Sequence, residues 1–102
     1  MTPEAKVKLK VRKLLDENAI YYFFPAANGY GRAGIPDIIF CVQGIFGAIE
    51  CKAGRGTLTA LQERELTKID NAGGFTFIAR EDNIEELKER LICLTTKRSS
   101  GV

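Results

Sequence analysis

One stretch, DIIFCVQGIFGAIEC over residues 37–51, constrains the fold of this chain more than any other. Gln43-Gly44 divides it into two apolar runs. Ile38, Phe40, Val42, Ile45 and Ile49 fall in one phase, and Ile39, Cys41, Phe46 and Ala48 in the other. Side chains alternate across a strand, so neither face of this hairpin is suited to water. A sheet apolar on both sides is covered on both sides. Helical patterns flank the hairpin, which predicts a three-layer α/β or mixed domain. The chain has 102 residues, 45% of them hydrophobic. That length suits one domain with one modest core.

The remaining elements follow from local signals. Thr2-Pro3 is a helix start, with Thr as N-cap and Pro in the first turn. Val7, Val11, Leu14 and Leu15 keep helical spacing to about residue 18. Residues 20–24, IYYFF, read as a strand, and 25–34 as loop. Residues 53–56 form a small basic loop, and 57–72 a helix stopped by Gly73-Gly74. Residues 75–79 are a strand. Asn83-Ile84-Glu85-Glu86 matches a capping box and opens a helix with Ile84, Leu87, Leu91 and Leu94 on one side. Residues 1–94 make the domain, and 95–102 read as a polar, flexible tail. The order is α-β-β-β-α-β-α.

Several function classes are excluded by composition. There is no histidine, so Ser-His-Asp and Cys-His nucleophiles, His acid–base pairs and His-metal nucleases are ruled out. Three cysteines, Cys41, Cys51 and Cys93, occur without a C-x-x-C pair. A disulfide framework or zinc site is not expected, and a reducing, intracellular compartment is. No apolar stretch reaches membrane-span length, and MTPEAKVKLK has no signal-peptide core. Net charge is +2. Lys6, Lys8, Lys10, Arg12 and Lys13 crowd the first helix; a solvated face is the plainer account of that run, and contact with nucleic acid the alternative.

Chemistry enters at the open end of the hairpin. If Gln43-Gly44 is a two-residue turn, 42 pairs with 45 and 37 with 50. Directly opposed residues of an antiparallel pair share a face. Asp37 and Glu50 are then neighbours, and Lys52 joins Glu50 by the two-residue repeat. A three-residue loop would instead send the two carboxylates to opposite faces. At roughly 5 Å and an effective dielectric of about 20, their repulsion is ~3 kcal/mol. Such a pair needs a cation: Lys52 supplies part of the charge and a divalent metal the rest. Taken singly, each residue reads as a surface Glu–Lys pair or a strand-initiating Asp.

Two polar residues fall near apolar stripes. Glu4 lies within about 60° of Val7 at 100° per residue, although an acid there also suits the helix dipole. Gln62 lies within about 40° of Leu58, and Thr59-Ala60-Leu61-Gln62 also matches a capping box. Two carboxylates, a backbone carbonyl and waters suit Mg²⁺ or Mn²⁺. A divalent ion beside Lys52 is equipment for phosphodiester hydrolysis. Arg32, Arg55 and nearby glycines such as Gly34 are candidate phosphate contacts, with Lys10 as a further one on the first helix.

A competing motif is Gly29-Tyr30-Gly31-Arg32-Ala33-Gly34, which spells G-x-G-x-x-G, with the acid Glu50 about 20 residues on. The dinucleotide fingerprint needs a helix after its third glycine. Here Ile35-Pro36 follows, and Pro36 holds Ile35 extended, so the glycines read as loop leading into a strand.

Pro36-Asp37 followed by Glu50-Cys51-Lys52 resembles the PD-(D/E)XK nuclease signature. The longer stretch GIPDIIFCVQGIFGAIECKAGRGTLTALQ, then GGFTFIAR, resembles the VRR-NUC family, the virus-type replication-repair nucleases, in their small stand-alone phage and viral form. The likeness covers about residues 4–80. It implies a restriction-endonuclease-like α-β-β-β-α-β core, with a mixed central sheet flanked by helices. It implies metal ligation by Asp37, Glu50 and the Cys51 carbonyl, with Lys52 orienting or activating the attacking water. Glu4 and Gln62 match recurrent additional site residues, and Glu4 is thereby a possible ligand. Also implied are a Mg²⁺-dependent DNA endonuclease acting on branched DNA in replication or repair, a homodimer, and the cytoplasm of a bacterial host. Residues 21–24 are the dimer-interface candidates. The rival readings are a non-cleaving DNA-binding module of nuclease fold, and a flap, exonuclease or restriction-type nuclease.

Overall fold

The computed structural model describes residues 1–26 and 32–100. The elements run α1 (Pro3–Glu17), β1 (Tyr21–Phe23), β2 (Ile38–Val42), β3 (Ile45–Cys51), α2 (Ala60–Asn71), β4 (Phe75–Ala79) and α3 (Ile84–Ser100). Four strands form one mixed sheet in the order β1-β2-β3-β4. The first three are antiparallel to their neighbours, and β4 is parallel to β3. A parallel pair needs a crossover, and α2 supplies it.

The central hairpin turns in two residues. Gln43 and Gly44 both have positive φ, 51° and 78°, as the type I′ turn requires to match strand twist. Val42 therefore pairs with Ile45, Phe40 with Gly47 and Ile38 with Ile49. The Phe40 ring folds over the bare face of Gly47; a Cβ there would sit 2.1 Å from it.

The core lies on one face. Val7, Val11, Leu14 and Leu15 of α1 and Leu87 and Leu91 of α3 meet Ile38, Phe40, Val42, Ile49 and Cys51. Fully burying each large aliphatic or aromatic side chain contributes about 1.5–3 kcal/mol. Thr2 caps α1, its Oγ1 accepting from the Ala5 N–H at 3.1 Å. Tyr22 ties α1 to β1: its hydroxyl donates to Asp16 at 2.8 Å and accepts from Arg12 Nε at 3.2 Å.

The expectation of a fully covered sheet needs correction. On the opposite face α2 packs on β3 and β4. Beyond it, Tyr21 and Phe23 of β1, Cys41 of β2 and Phe46 at the start of β3 are exposed, Tyr21 to 71%. The helix spans the parallel crossover it makes and is too narrow to reach the two strands beyond. Tyr22 turns the other way, against the core, so the aromatic run 21–24 divides between the two faces.

Two local readings also change. The Asn83 side chain does not cap α3: its Oδ1 accepts from the Arg80 N–H at 2.7 Å and its Nδ2 donates to the Ile78 carbonyl at 2.8 Å. It closes the end of β4 instead. Residues 95–100, read from sequence as part of a polar, flexible tail, continue α3, which runs to Ser100. Thr95 and Thr96 hydroxyls bond back to carbonyls at Ile92 and Cys93, so these polar side chains satisfy themselves on the helix. The first half of the glycine-rich stretch, Gly29, Tyr30 and Gly31, lies outside the described residues. Its last glycine, Gly34, leads to Pro36 and then β2, with no helix between. Among the described residues no helix is long and apolar enough to cross a membrane.

Candidate active site

The two-residue turn carries the hairpin register to its open end. Ile38 faces Ile49, so Asp37 stands opposite Glu50. The Asp37 Oδ2 accepts from the Cys51 N–H at 2.9 Å, locking that oxygen to β3. An extended residue turns its N–H and C=O toward the same neighbouring strand. The Cys51 carbonyl is therefore directed to the Asp37 side. The Cys51 side chain falls on the core face, fully buried. Burial, then the Asp37 charge, pushes its thiol up to about 12, so it is no nucleophile.

Glu50 is the unusual group. It is only 3% exposed. Burial first, then the charge of Asp37, pushes its carboxyl up to about 7, against the smaller opposing pull of Lys52. Its Oε2 accepts from Gln62 Nε2 at 3.1 Å and lies 3.9 Å from Lys52 Nζ. Its Oε1 is buried with no hydrogen-bond partner among the described residues. An orphaned buried carboxylate oxygen costs about 1–3 kcal/mol. Together with Asp37 and the Cys51 carbonyl, that carboxylate is an all-oxygen donor set of the kind that suits a hard divalent cation. The donor set thus fits an oxygen-ligated ion.

Both readings of Gln62 hold at once. Its Oε1 accepts from the Thr59 N–H at 3.0 Å while its backbone N–H donates to Thr59 Oγ1 at 3.2 Å, completing the capping box. The amide's other end grips Glu50. The start of α2 is fixed to the site by one side chain.

The other expected residues are dispersed. Glu4 is exposed in the first turn of α1. Among the described residues no group of three or more His, Cys, Asp or Glu is gathered to hold a metal, so Glu4 does not join the carboxylate pair. The first turn of α1 leaves it in solvent. Lys10 is exposed on α1. Arg55 is exposed in the turn closed by Gly56 N–H and the Ala53 carbonyl at 3.0 Å. Gly34 rests on the backbone of Leu61 and Gln62. Arg32 pairs with Glu65 at 3.4 Å.

Two residues escaped the sequence reading. Lys8 places Nζ 3.6 Å from Asp37 Oδ1, so the site already holds two lysines against two carboxylates. Its phase, about 100° from Val7, put it at the stripe's edge inside a run of solvated cations. Glu65 follows Gln62 by three positions and precedes Ile69 by four, which is the sheet-facing side. It is 4% exposed, and its Oε2 has no hydrogen-bond partner among the described residues. It lines an apolar groove with Phe23, Ile35, Ile39, Phe46 and Ile69.

Each observation makes a prediction. Arg32 and Arg64, the partners of Glu65, are mostly exposed and remain solvated without it. Glu65→Leu is therefore expected to raise stability by ~1 kcal/mol, since an apolar residue outperforms a poorly bonded buried charge. Urea unfolding checks this, and a loss of stability would contradict it. For Glu50, the folded group titrates near 7 against an ordinary 4.5. The folded state binds the extra proton between those values, so this contribution is full below the lower value and lost as pH rises through the upper. It amounts to at most ~3 kcal/mol. The metal-free protein is expected to lose stability between about pH 5 and 8, and Glu50→Gln to lose less. Parallel pH profiles for the two proteins would remove Glu50 as the cause.

No family model, curated protein or solved structure matches the chain.

Proposed function

We propose that the chain is a divalent-metal-dependent DNA endonuclease of restriction-endonuclease-like fold, preferring branched DNA and acting as a homodimer. The observation that carries this reading is Glu50. It is a deeply buried carboxylate, opposite Asp37 in the hairpin, with one oxygen held by Gln62 and Lys52 and the other without a hydrogen-bond partner among the described residues. A fold keeps so costly an arrangement where a ligand completes it. The element order around it, with both carboxylates at the open end of the β2–β3 hairpin, agrees with the family likeness.

Asp37, Glu50 and the Cys51 carbonyl would hold Mg²⁺ or Mn²⁺. When bound, that ion supplies positive charge where negative charge develops on the scissile phosphate. Lys52 orients the water that attacks phosphorus as one P–O ester bond breaks. Gln62 keeps Glu50 in place, and Arg32, Arg55 and Lys10 are phosphate contacts along the approach. One chain carries one such set, so paired cuts across a junction need two chains. The open aromatic face formed by β1, β2 and Phe46 at the start of β3 is the candidate interface, tested by sedimentation of wild type against Phe46→Lys.

A second reading is a non-cleaving module that binds DNA. It is favoured by the pairing of both carboxylates with lysines. End-labelled cleavage of single-stranded, duplex, flap, fork and four-way-junction DNA, with Mg²⁺ and with EDTA, separates the two. Metal-dependent cutting supports the nuclease, and the preferred substrate distinguishes junction, flap and exonuclease activities. Binding without cutting in either Mg²⁺ or Mn²⁺ supports the module.

A further inference from the structure

The two lysines at the site are not equivalent. Lys52 lies against Glu50 Oε2, the oxygen already occupied by Gln62, and leaves Oε1 free. At Asp37 the pattern is reversed. Its Oδ2 is taken by the Cys51 N–H, and Lys8 faces Oδ1, the oxygen left to receive a cation. Lys8 stands apart from its neighbours: it is half-buried, whereas Lys6, Lys10 and Lys13 are exposed. At 3.6 Å the contact is too long for a charge-assisted hydrogen bond, which closes to about 2.7–2.9 Å. It is a coulombic contact that is readily exchanged.

We propose that Lys8 is an internal competitor for the divalent cation. Its ammonium neutralises Asp37 when no metal is bound and must leave Oδ1 when one arrives. The proposal rests on the metal-site reading of Asp37 and Glu50. It assigns Lys8 a role that the other α1 lysines lack: holding metal affinity down while preventing two facing carboxylates from repelling each other in the metal-free protein.

A unit charge about 5 Å from a doubly charged ion opposes its binding even at high dielectric, and its removal is worth about tenfold in affinity. The test is calorimetric titration of Mg²⁺ and Mn²⁺ into wild type, Lys8→Met, Lys8→Arg and Asp37→Asn, without DNA. Lys8→Met is expected to bind Mg²⁺ about tenfold tighter and to melt lower than wild type in EDTA. Lys8→Arg keeps the charge and is expected to stay near wild type. Lys8→Gln replaces Lys8→Met if the latter does not fold. Metal binding to wild type with no tightening in Lys8→Met or Lys8→Gln overturns the proposal and leaves the metal site intact. Absence of binding to wild type and to every lysine variant overturns both.

Discussion

Lys52→Ala is expected to abolish cleavage and leave DNA binding nearly unchanged. The backbone of Lys52 is fixed by the sheet: its N–H donates to the Ala79 carbonyl at 2.9 Å. The side chain, just past the end of β3 and two residues on from Glu50, brings Nζ to 3.9 Å from Glu50 Oε2. It is largely buried, so it makes little contact with a polyanion that approaches from solvent. A positioned group that handles the proton of the attacking water contributes about 10²–10⁴-fold in rate. Exposed phosphate contacts, by contrast, each add about one unit to the salt slope of binding. Lys52→Ala is therefore expected to lose at least ~10²-fold in cleavage rate with an unchanged salt slope. Arg55→Ala is expected to show the reverse: a shallower slope and a nearly normal rate at saturating DNA. Measured cleavage by Lys52→Ala close to wild type would remove Lys52 from the chemistry, and a matching loss in binding would make it a phosphate contact.

The parts of the site legible in the sequence were those fixed by the hairpin. A strand has a period of two and a two-residue turn leaves no freedom of register, so Gln43-Gly44 determined that Asp37 would face Glu50. Gln62 was legible through its capping box, which fixes its backbone at the start of α2, whereas Leu58, the residue its phase was measured from, lies before that helix. Side chains whose fate depends on how far a helix extends over the sheet were not legible. Glu4 and Lys8 lie on neighbouring turns of α1, yet one ends in solvent and the other at Asp37. Periodicity alone gives an angle around the axis and no position along it. The same limit explains the half-covered sheet. The apolar phase of Ile39, Cys41, Phe46 and Ala48 predicted a second interior face, but only Ala48 is buried there, because α2 stops over β3 and leaves Cys41 and Phe46 exposed. Glu65 was hidden for a different reason: a charged residue on an interior stripe reads as surface until its burial is seen.

Gly34→Ala is expected to be strongly destabilising, and the reason is local geometry. Gly34 has φ of +85°, where a Cβ costs about 1 kcal/mol. That methyl would also lie 2.5 Å from the carbonyl carbon and oxygen of Leu61 and 2.9 Å from the Gln62 nitrogen. Backbone on both sides leaves no rotamer to relieve the clash, so the loop before β2 or the first turn of α2 must move. Together the expected loss is ~3 kcal/mol, or about 10–20 °C in melting temperature for a domain of this size. Gly54→Ala is the control. Gly54 also has positive φ, +54°, with nothing within 4 Å of its would-be Cβ, so it incurs the backbone strain alone and is expected to lose ~1 kcal/mol. Any shift of α2 also draws Gln62 from Glu50, so in Gly34→Ala the cleavage rate is expected to fall together with stability. The same glycine was read from sequence as a point of close approach for DNA, and the two roles give different results. If Gly34→Ala is as stable as Gly54→Ala yet binds DNA weakly, the glycine serves the substrate. If it unfolds early and the folded fraction binds normally, it serves the contact between the loop and α2 that holds the site together.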